Sequence, residues 1–206
     1  MRADSARAGG WSSGLVLAAG GSSRMGSPKQ LLPVDGRPLL EVVVSQACAS
    51  QLDEVVVVLG GNAAAIKERV DFGRARTVVN RDYAQGMSSS LRLGLASLSR
   101  ETGRTVVILG DQPGVSASLL DQLLDLQRAS GLPAAALSFD GLLHPPVVLE
   151  RPLWPDLISL QGDVGCRALI RSRPELVASL AVSGDSRHPV DIDTPEDYQR
   201  LVSGSR

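Results

Sequence analysis

The amino-acid sequence predicts an α/β fold, in which a single three-layer α/β/α domain is built around a mainly parallel, doubly wound sheet. Short continuous runs of Val, Leu and Ile, such as residues 54–59 and 105–109, are typical of strands that are buried on both faces. Longer segments with apolar residues at helical spacing separate these runs, as βαβ units require. At 206 residues, the chain is long enough for one domain with a sizeable core.

Strands and helices alternate through the first two thirds of the chain. Leucines at positions 91, 95 and 98, for example, recur with the spacing of one helix face. The predicted strands are residues 15–17, 54–59, 77–79 and 105–109. The predicted helices are residues 38–50, 63–70, 88–98 and 116–129.

The last third of the chain is less regular. Its predicted elements are short strands at residues 134–138 and 146–149 with a loop between them, a helix at 164–171 and a strand at 176–182. A further helix start follows, where Thr194 is the expected N-cap, Pro195 the first helical residue and Asp197 a first-turn acid. Residues 1–12 are small and polar, and we expect a disordered tail there, ahead of a domain at residues 13–203.

Composition excludes several classes of protein. The formal net charge of -1 argues against a nucleic-acid-binding protein that relies on a basic field. No apolar run approaches about 18 residues, so we expect no transmembrane helix and no membrane partner. Two cysteines, Cys48 and Cys166, are too few for a disulfide scaffold or a metal cluster. A cytoplasmic location is therefore the expectation.

A glycine-rich segment follows the first predicted strand, at residues 18–29. This is the position at which open α/β sheets bind phosphates. The segment matches neither the dinucleotide fingerprint nor the Walker loop, but it carries two cations, Arg24 and Lys29. Lys29 is one of only two lysines in the chain. The segment favours a polyphosphate site, and the alternative is an ordinary turn with two surface cations.

Carboxylates at the same predicted sheet edge indicate a magnesium site. Asp111 follows the strand at residues 105–109, and a carboxylate that faces a polyphosphate needs a divalent cation between them. Asp191 and Asp193 lie two residues apart, so they point the same way in an extended segment. We expect Asp193 to be the better ligand and Asp191 the spare. The alternatives are a turn aspartate at position 111 and helix capping by the later pair.

Two further residues, Asn80 and His144, each have two interpretations. Asn80 begins a loop that ends in serines 88–90, where hydroxyls and helix amides would hold a ribose or base, or simply cap a helix. His144 would line a substrate cleft or be a structural histidine. No spacing supports a Ser-His-Asp or Cys-His pair, so covalent catalysis has no support.

These stretches, taken together, resemble a known family. Residues 17–26 followed by 29–32 closely resemble the signature loop of the MobA-like nucleotidyltransferases. The match continues in order through Tyr83 and residues 86–91, 110–113, 144–145, 162–167 and 191–197. It covers about residues 14–202 and is closest to the molybdenum cofactor cytidylyltransferases. The resemblance implies a Rossmann-like sheet of the nucleotide-diphospho-sugar transferase type, with residues 13–203 as a nucleotidyltransferase domain.

The resemblance also implies a reaction. CMP would pass from CTP to the terminal phosphate of molybdopterin, pyrophosphate would leave, and Mg²⁺ would be the cofactor. The Ala-Ala-Gly form of the loop is associated with CTP and an Ala-Gly-Gly form with GTP. Arg24, Lys29 and Asp111 would be catalytic. The nucleotide-binding positions would be Leu17, Ala18, Ala19, Gly20, Gly21, Ser22, Ser23, Arg24, Lys29, Asn80, Ser88 and Gly110.

Metal and acceptor sites follow from the same resemblance. Asp111 and Asp193 would hold Mg²⁺, and the acceptor positions would be His144, Pro145, Gly162 and Asp163. The chain departs from the family at Cys166, where a small residue such as Ala is usual, and at the unusually apolar segment 141–143. Molybdoenzymes would be transient partners. The alternatives are a cytidylyl- or guanylyltransferase for another phosphorylated acceptor, and a non-catalytic nucleotide-binding regulator or chaperone.

Overall fold

A seven-stranded sheet separates two layers of helices. The computed structural model of the chain describes residues 10–20, 28–182, 191–192 and 194–203. Its strands are β1 (Trp11–Ala18), β2 (Pro33–Val34), β3 (Arg37–Pro38), β4 (Glu54–Leu59), β5 (Arg76–Val79), β6 (Thr102–Leu109), β7 (Ala134–Phe139), β8 (Leu142–Glu150) and β9 (Val177–Ala181). Its α-helices are α1 (Leu39–Ala49), α2 (Ala63–Arg69), α3 (Met87–Ser97), α4 (Ala117–Ser130), α5 (Trp154–Ser159), α6 (Cys166–Ser172) and α7 (Pro195–Ser203).

The main sheet is mostly parallel and has the order β5-β4-β1-β6-β8-β7-β9. Strand β1 pairs in parallel with β4 on one side and with β6 on the other. Strand β8 is antiparallel to both of its neighbours, so it alone runs against the other six. Strands β2 and β3 form a separate antiparallel pair. The predicted fold class, a mainly parallel sheet covered by helices on both faces, is confirmed.

Alternating side chains of the buried strands feed two cores. In β4, Val55 and Val57 pack with helices α1, α2 and α4, while Val56 and Val58 pack with α3, α5 and α6. This two-sided burial explains why β4 reads as a continuous valine run rather than as an apolar-polar alternation. Among the described residues, no helix has the length and apolar character that crossing a membrane requires.

The predicted tail at residues 1–12 is wrong at its end. Strand β1 begins at Trp11, and Ser12 is 1% exposed, with its N–H donating to the Asp53 carboxylate at 2.9 Å. Ser13 is also buried and hydrogen-bonds Glu54 and Thr102. The sequence did not predict this part of β1 because Ser12 and Ser13 are polar, although both are hydrogen-bonded inside the sheet. Residues 1–9 lie outside the described part of the chain.

In the last third, two predicted boundaries change and one helix is added. Strand β8 begins at Leu142 and takes up much of the predicted loop, because a turn at Asp140 and Gly141, both with positive φ, closes a β-hairpin. Helix α5 was not predicted, and α6 begins at Cys166 rather than at residue 164. The start of α7 is confirmed: the Asp197 N–H donates to Thr194 Oγ1 at 3.2 Å, and the Thr194 N–H donates to the Asp197 carboxylate at 2.9 Å.

The N-terminus of α3 is covered by the segment before α6. The Ser88 N–H donates to the Gly162 carbonyl at 3.2 Å, and the Met87 N–H lies 3.4 Å from an Asp163 carboxylate oxygen. Gly86 makes this approach possible. Its φ is +99°, and a Cβ atom there would overlap the backbone of Gly162.

We expect Gly86→Ala to destabilise the protein by about 3 kcal/mol, since backbone strain of about 1–3 kcal/mol adds to the collision with Gly162. Gly131→Ala is the matched control: Gly131 has a φ of +67° but no neighbour within 4 Å, so it should lose only about 1 kcal/mol. Urea unfolding of both variants measures the difference. Equal losses would show that the contact with Gly162 carries no energetic weight.

Candidate active site

A cavity of about 590 Å³ opens at the carboxyl edge of the parallel strands. The ends of β1 and β6 form its floor, and the starts of α3 and α6 contribute to its wall. The described lining residues are Leu17, Ala18, Ala19, Gly20, Lys29, Gln30, Tyr83, Gly86, Met87, Ser90, Leu109, Gly110, Asp111, Pro145, Asp163, Gly165, Cys166, Arg167 and Asp191. Strand order places the cavity where ligands bind in open α/β sheets.

The last residue of β1 and the two residues that follow it, Ala18, Ala19 and Gly20, are called here the turn after β1. This turn packs tightly against its neighbours. The Gly110 N–H donates to the Leu17 carbonyl at 2.9 Å, which ties β1 to the end of β6. A Cβ atom at Gly60 would overlap the Ala19 carbonyl oxygen, so the strand end beyond β4 approaches the turn closely. The turn residues are thereby fixed at the cavity floor.

Lys29 and Asp111 form an ion pair inside the cavity. Lys29 Nζ lies 2.5 Å from Asp111 Oδ2, and the two side chains are 15% and 17% exposed. Lys29 begins the 3₁₀ turn Lys29–Leu31, and Asp111 follows β6 directly after Gly110. The structure thus joins two residues that the sequence assigned to separate roles, one as a phosphate cation and one as a metal ligand.

Asp191 also lines the cavity, and its carboxylate is held on both oxygens. Gln112 Nε2 donates to one oxygen at 2.7 Å, and Arg167 Nη2 lies 3.4 Å from the other. The Ile192 N–H donates to the Asp111 carbonyl at 3.2 Å, so the segment with Asp191 is fastened to the end of β6. The spare candidate therefore lies in the cavity, and the preferred candidate, Asp193, lies outside the described residues.

Many of the predicted nucleotide and acceptor positions share this cavity. Those that line it are Leu17, Ala18, Ala19, Gly20, Lys29, Gly110, Asp111, Pro145 and Asp163. Five predicted residues fall outside the described part of the chain: Gly21, Ser22, Ser23, Arg24 and Asp193. Their predicted roles stay predictions.

Asn80 and Ser88 are not among the residues that line the cavity, and their predicted nucleotide contacts stay predictions. Asn80 is 4% exposed, and its Nδ2 donates to Ser89 Oγ at 2.8 Å and to Ser90 Oγ at 2.9 Å. Ser88 is fully buried, and its N–H donates a hydrogen bond to the Gly162 carbonyl. Asn80 therefore holds the serines at the start of α3 in place, and the Ser88 N–H ties the start of that helix to Gly162. The N-cap residue of α3 is Gly86, so the helix has no side-chain cap there.

His144 and Gly162 likewise lie outside the lining, although their neighbours Pro145 and Asp163 belong to it. Gly162 presents its carbonyl to α3 rather than to the cavity. Burial lowers the pKa of His144, and the positive charges of Arg167 and Arg171 lower it further, while Asp191 opposes them. His144 is accordingly mostly neutral near pH 7, and its predicted acceptor contact stays a prediction.

Sequence reasoning did not assign Gln30, Gln112 or Tyr83 to the site. Gln30 and Gln112 are 3% and 1% exposed, and each directly follows one member of the Lys29–Asp111 pair. In the sequence, a glutamine directly follows each of the two charged residues, and this shared position is a signal that could have indicated the role of the glutamines. Tyr83 has none of that kind, because its position over Gly61 depends on the fold: a Cβ atom at Gly61 would lie 2.5 Å from the Tyr83 hydroxyl.

The small nucleophiles of the described lining are not activated. Burial raises the pKa of the Cys166 thiol to about 12, so it is protonated at neutral pH. Ser90 Oγ accepts a hydrogen bond from buried Asn80. The site therefore offers positioned charge and backbone amides rather than a covalent nucleophile.

The carboxylates of the cavity fit a magnesium ion. Asp111 and Asp191 supply the oxygen donors that Mg²⁺ prefers, and such ions are commonly held by one or two carboxylates together with substrate phosphates. Within the described residues, no group of three or more His, Cys, Asp or Glu side chains is arranged as a metal site. Substrate phosphates and waters are the usual further ligands of such an ion.

Comparison with known proteins agrees with this geometry. Residues 14–178 match the MobA-like NTP transferase domain. The nicotine blue oxidoreductase of Paenarthrobacter nicotinovorans is 37% identical over 198 residues, which cover 92% of this chain and 95% of that protein. The purine catabolism protein PucB of Bacillus subtilis (strain 168) is 32% identical over 91% of this chain and 94% of its own.

Among solved structures, Rv0371c from Mycobacterium tuberculosis H37Rv is 31% identical to this chain, with a TM-score of 0.84. The match covers 95% of this chain and 99% of that one. A further structure of Rv0371c is a complex with manganese; it has a TM-score of 0.80 and covers 94% of this chain and 98% of its own.

The Lys29–Asp111 pair predicts strong energetic coupling in the free protein. In a double-mutant cycle with Lys29→Met and Asp111→Asn, each single change leaves a largely buried charge without its partner. The double variant should therefore lose less free energy of unfolding than the two single variants lose together. We expect a coupling of roughly 0.5–3 kcal/mol in urea unfolding without nucleotide or metal.

The exposed pair of Arg128 and Asp125, 3.1 Å apart on α4, is the control for that cycle. Solvent screens this pair, and its coupling should stay near or below about 0.5 kcal/mol. Additive effects of the two cavity substitutions would contradict the inferred ion pair.

Proposed function

The chain belongs to the MobA-like NTP transferase family, and from that premise we propose that it transfers CMP from CTP to the terminal phosphate of molybdopterin and releases pyrophosphate, with Mg²⁺ as cofactor. The single observation that carries the proposal is the Lys29–Asp111 ion pair at the floor of the cavity, beneath the turn after β1. In this pair, the cation proposed to bind phosphate contacts the carboxylate proposed to bind the metal.

The free site holds its charges in pairs that a substrate complex can replace. A triphosphate offers Lys29 negative charge in place of Asp111, and a divalent cation offers Asp111 positive charge in place of Lys29. Lys29 would exchange one negative partner for another, and Asp111 would exchange one positive partner for another. Neither side chain is therefore left as a buried, unpaired charge during binding. Nucleotide and metal should therefore bind together more strongly than either alone.

In the proposed reaction, an oxygen of the acceptor phosphate forms a bond to the α-phosphorus of CTP, and the bond from that phosphorus to pyrophosphate breaks. Lys29 would hold the α-phosphate and stabilise its developing charge, and Arg24 is assigned to the triphosphate from the sequence. Asp111 would hold Mg²⁺ together with Asp193 or Asp191. When bound, Mg²⁺ neutralises charge on the phosphates and on the leaving pyrophosphate.

Support for the base and the acceptor comes from different parts of the cavity. The Ala18-Ala19-Gly20 turn has the form that the family resemblance associates with CTP, and all three residues line the cavity. Pro145, Met87 and Tyr83 give the cavity apolar and aromatic surface, which suits a flat heterocycle such as a pterin. Handover of the product to molybdoenzymes is part of the proposal.

A second candidate function comes from a relative. The protein of Paenarthrobacter nicotinovorans carries an oxidoreductase name and matches nearly the whole chain. The glycine-rich segment here lacks the Gly-x-Gly-x-x-Gly fingerprint of dinucleotide-binding oxidoreductases, so the transferase reaction is the better supported of the two.

A nucleotide panel tests the proposal. One preparation is incubated with CTP, GTP, ATP and UTP, with Mg²⁺, and with or without molybdopterin, and pyrophosphate release is measured. We expect release with CTP only when molybdopterin and Mg²⁺ are both present. Release with CTP and a different phosphorylated acceptor would overturn the acceptor, and preferred use of GTP would overturn the base. CTP binding without turnover would favour a regulator, and oxidation of NADH or NADPH with no pyrophosphate would favour the oxidoreductase.

Removing either charge of the ion pair should stop the reaction while the fold persists. We expect Lys29→Ala and Asp111→Ala to lower kcat by at least about 100-fold at saturating Mg²⁺, the loss typical of removing one transition-state charge contact. Lys67→Ala and Asp125→Ala are matched controls, because both side chains are exposed and neither residue lines the cavity. Near wild-type turnover in either cavity variant would contradict the mechanism.

A further inference from the structure

Gln30 carries a buried amide at the edge of the cavity. The residue is 3% exposed, and its Nε2 donates to the Ala18 carbonyl at 3.0 Å and to the Gly20 carbonyl at 3.1 Å. One side chain thus binds the backbone on both sides of Ala19. Because a buried amide is costly to leave unpaired, these bonds strongly fix its position.

The two bonds begin where the β-sheet pairing of β1 ends. The register of β1 with β4 extends to Ala18, and its register with β6 extends to Leu17. Beyond these positions, the Gln30 amide supplies hydrogen bonds from another part of the chain. On another side of the turn, Gly60 lies so close to Ala19 that no Cβ atom would fit. The turn is therefore held between Gln30 and Gly60.

Gln30 also connects the turn to the ion pair. It directly follows Lys29 in the 3₁₀ turn Lys29–Leu31, and the Leu32 N–H donates to the Lys29 carbonyl at 3.1 Å to close that turn. A displacement of the Gln30 side chain would be felt at the Ala18–Gly20 backbone and at the backbone of Lys29. The site thus has one residue that sets the distance between the turn and the phosphate-binding cation.

We propose that Gln30 is the positioning residue for nucleobase discrimination, which it achieves by fixing the Ala18–Gly20 backbone against which the base is read. The inference rests on the proposed nucleotidyl transfer. Backbone groups can distinguish bases only when they are held to within a fraction of an ångström, because misplaced donors and acceptors lose selectivity before they lose binding. Gln30 itself need not touch the nucleotide.

Two substitutions at this position separate positioning from packing. Gln30→Met keeps the length of the side chain and removes both hydrogen bonds. We expect it to raise KM for CTP about tenfold and to reduce the preference for CTP over GTP, in kcat/KM, by at least about tenfold, with a smaller effect on kcat. Gln127→Met is the matched control: Gln127 is 2% exposed and donates to the Leu132 carbonyl and Glu150, but it does not line the cavity.

Gln30→Glu adds a second measurement, the pH dependence of the preference for CTP. If Gln30 served only in packing, this preference would not change with pH in the variant. The ionised carboxylate would face two carbonyl oxygens, whereas the protonated acid can donate to one of them. Burial and the carbonyl dipoles raise the pKa of such a carboxyl group, so it is protonated below that raised value. In this variant, the preference for CTP should recover as the pH falls, whereas in the wild type the preference should change little over the same range.

Hydrogen exchange in the free protein gives a readout without nucleotide. We expect Gln30→Met to speed exchange in a peptide that ends at Gly20 and to leave peptides from α4 unchanged. If the wild type prefers CTP and Gln30→Met keeps that preference, the inference fails and the proposed function stands. Faster exchange with unchanged preference would also overturn it. If the wild type turns over no nucleotide at all, the proposed function fails, and the inference with it.

Discussion

Strand β1 is hydrogen-bonded on both sides, to β4 and to β6, and the rest of the structure is arranged around its carboxyl end. The turn that leaves it forms the cavity floor, Gly60 and Gly110 pack against that turn from the ends of the two partner strands, and Asp111 follows one residue later. Parallel pairing brings these groups to one edge without any of them being adjacent in sequence. The position of β1 therefore fixes the geometry of the site before any side chain is considered.

The charged side chains of the site are paired with partners inside the cavity. Lys29 faces Asp111, and Asp191 is held between Gln112 and Arg167. The two buried glutamines each follow a member of the central pair, and each secures a different segment: Gln30 the turn after β1, Gln112 the segment at Asp191. The charged side chains of Lys29, Asp111 and Asp191 are in this way each held against a partner of opposite charge.

Much of this could be predicted from the sequence, because buried parallel strands have a direct signature. The valine run of β4 predicted the sheet, and the glycine-rich segment and Asp111 predicted a ligand site at the sheet edge where the cavity opens. What escaped prediction depends on long-range partners: Ser12 and Ser13 are polar yet internal because Asp53, Glu54 and Thr102 bind them. Asn80 and Ser88 have residue types suited to a ligand, but both are buried: the Asn80 amide donates to Ser89 and Ser90, and the Ser88 N–H donates to the Gly162 carbonyl.

The central position of β1 has a consequence for how the chain is made. The strand emerges from the ribosome first among those of the sheet, but its two partners are residues 54–59 and 102–109. Until the second of these is synthesised, an apolar strand has one hydrogen-bonding edge open, and open apolar edges favour association between chains. The interval between β1 and β6 is thus one stage of biogenesis at which nascent chains are exposed to misassembly, and the cavity, which the ends of both strands line, forms only after that interval.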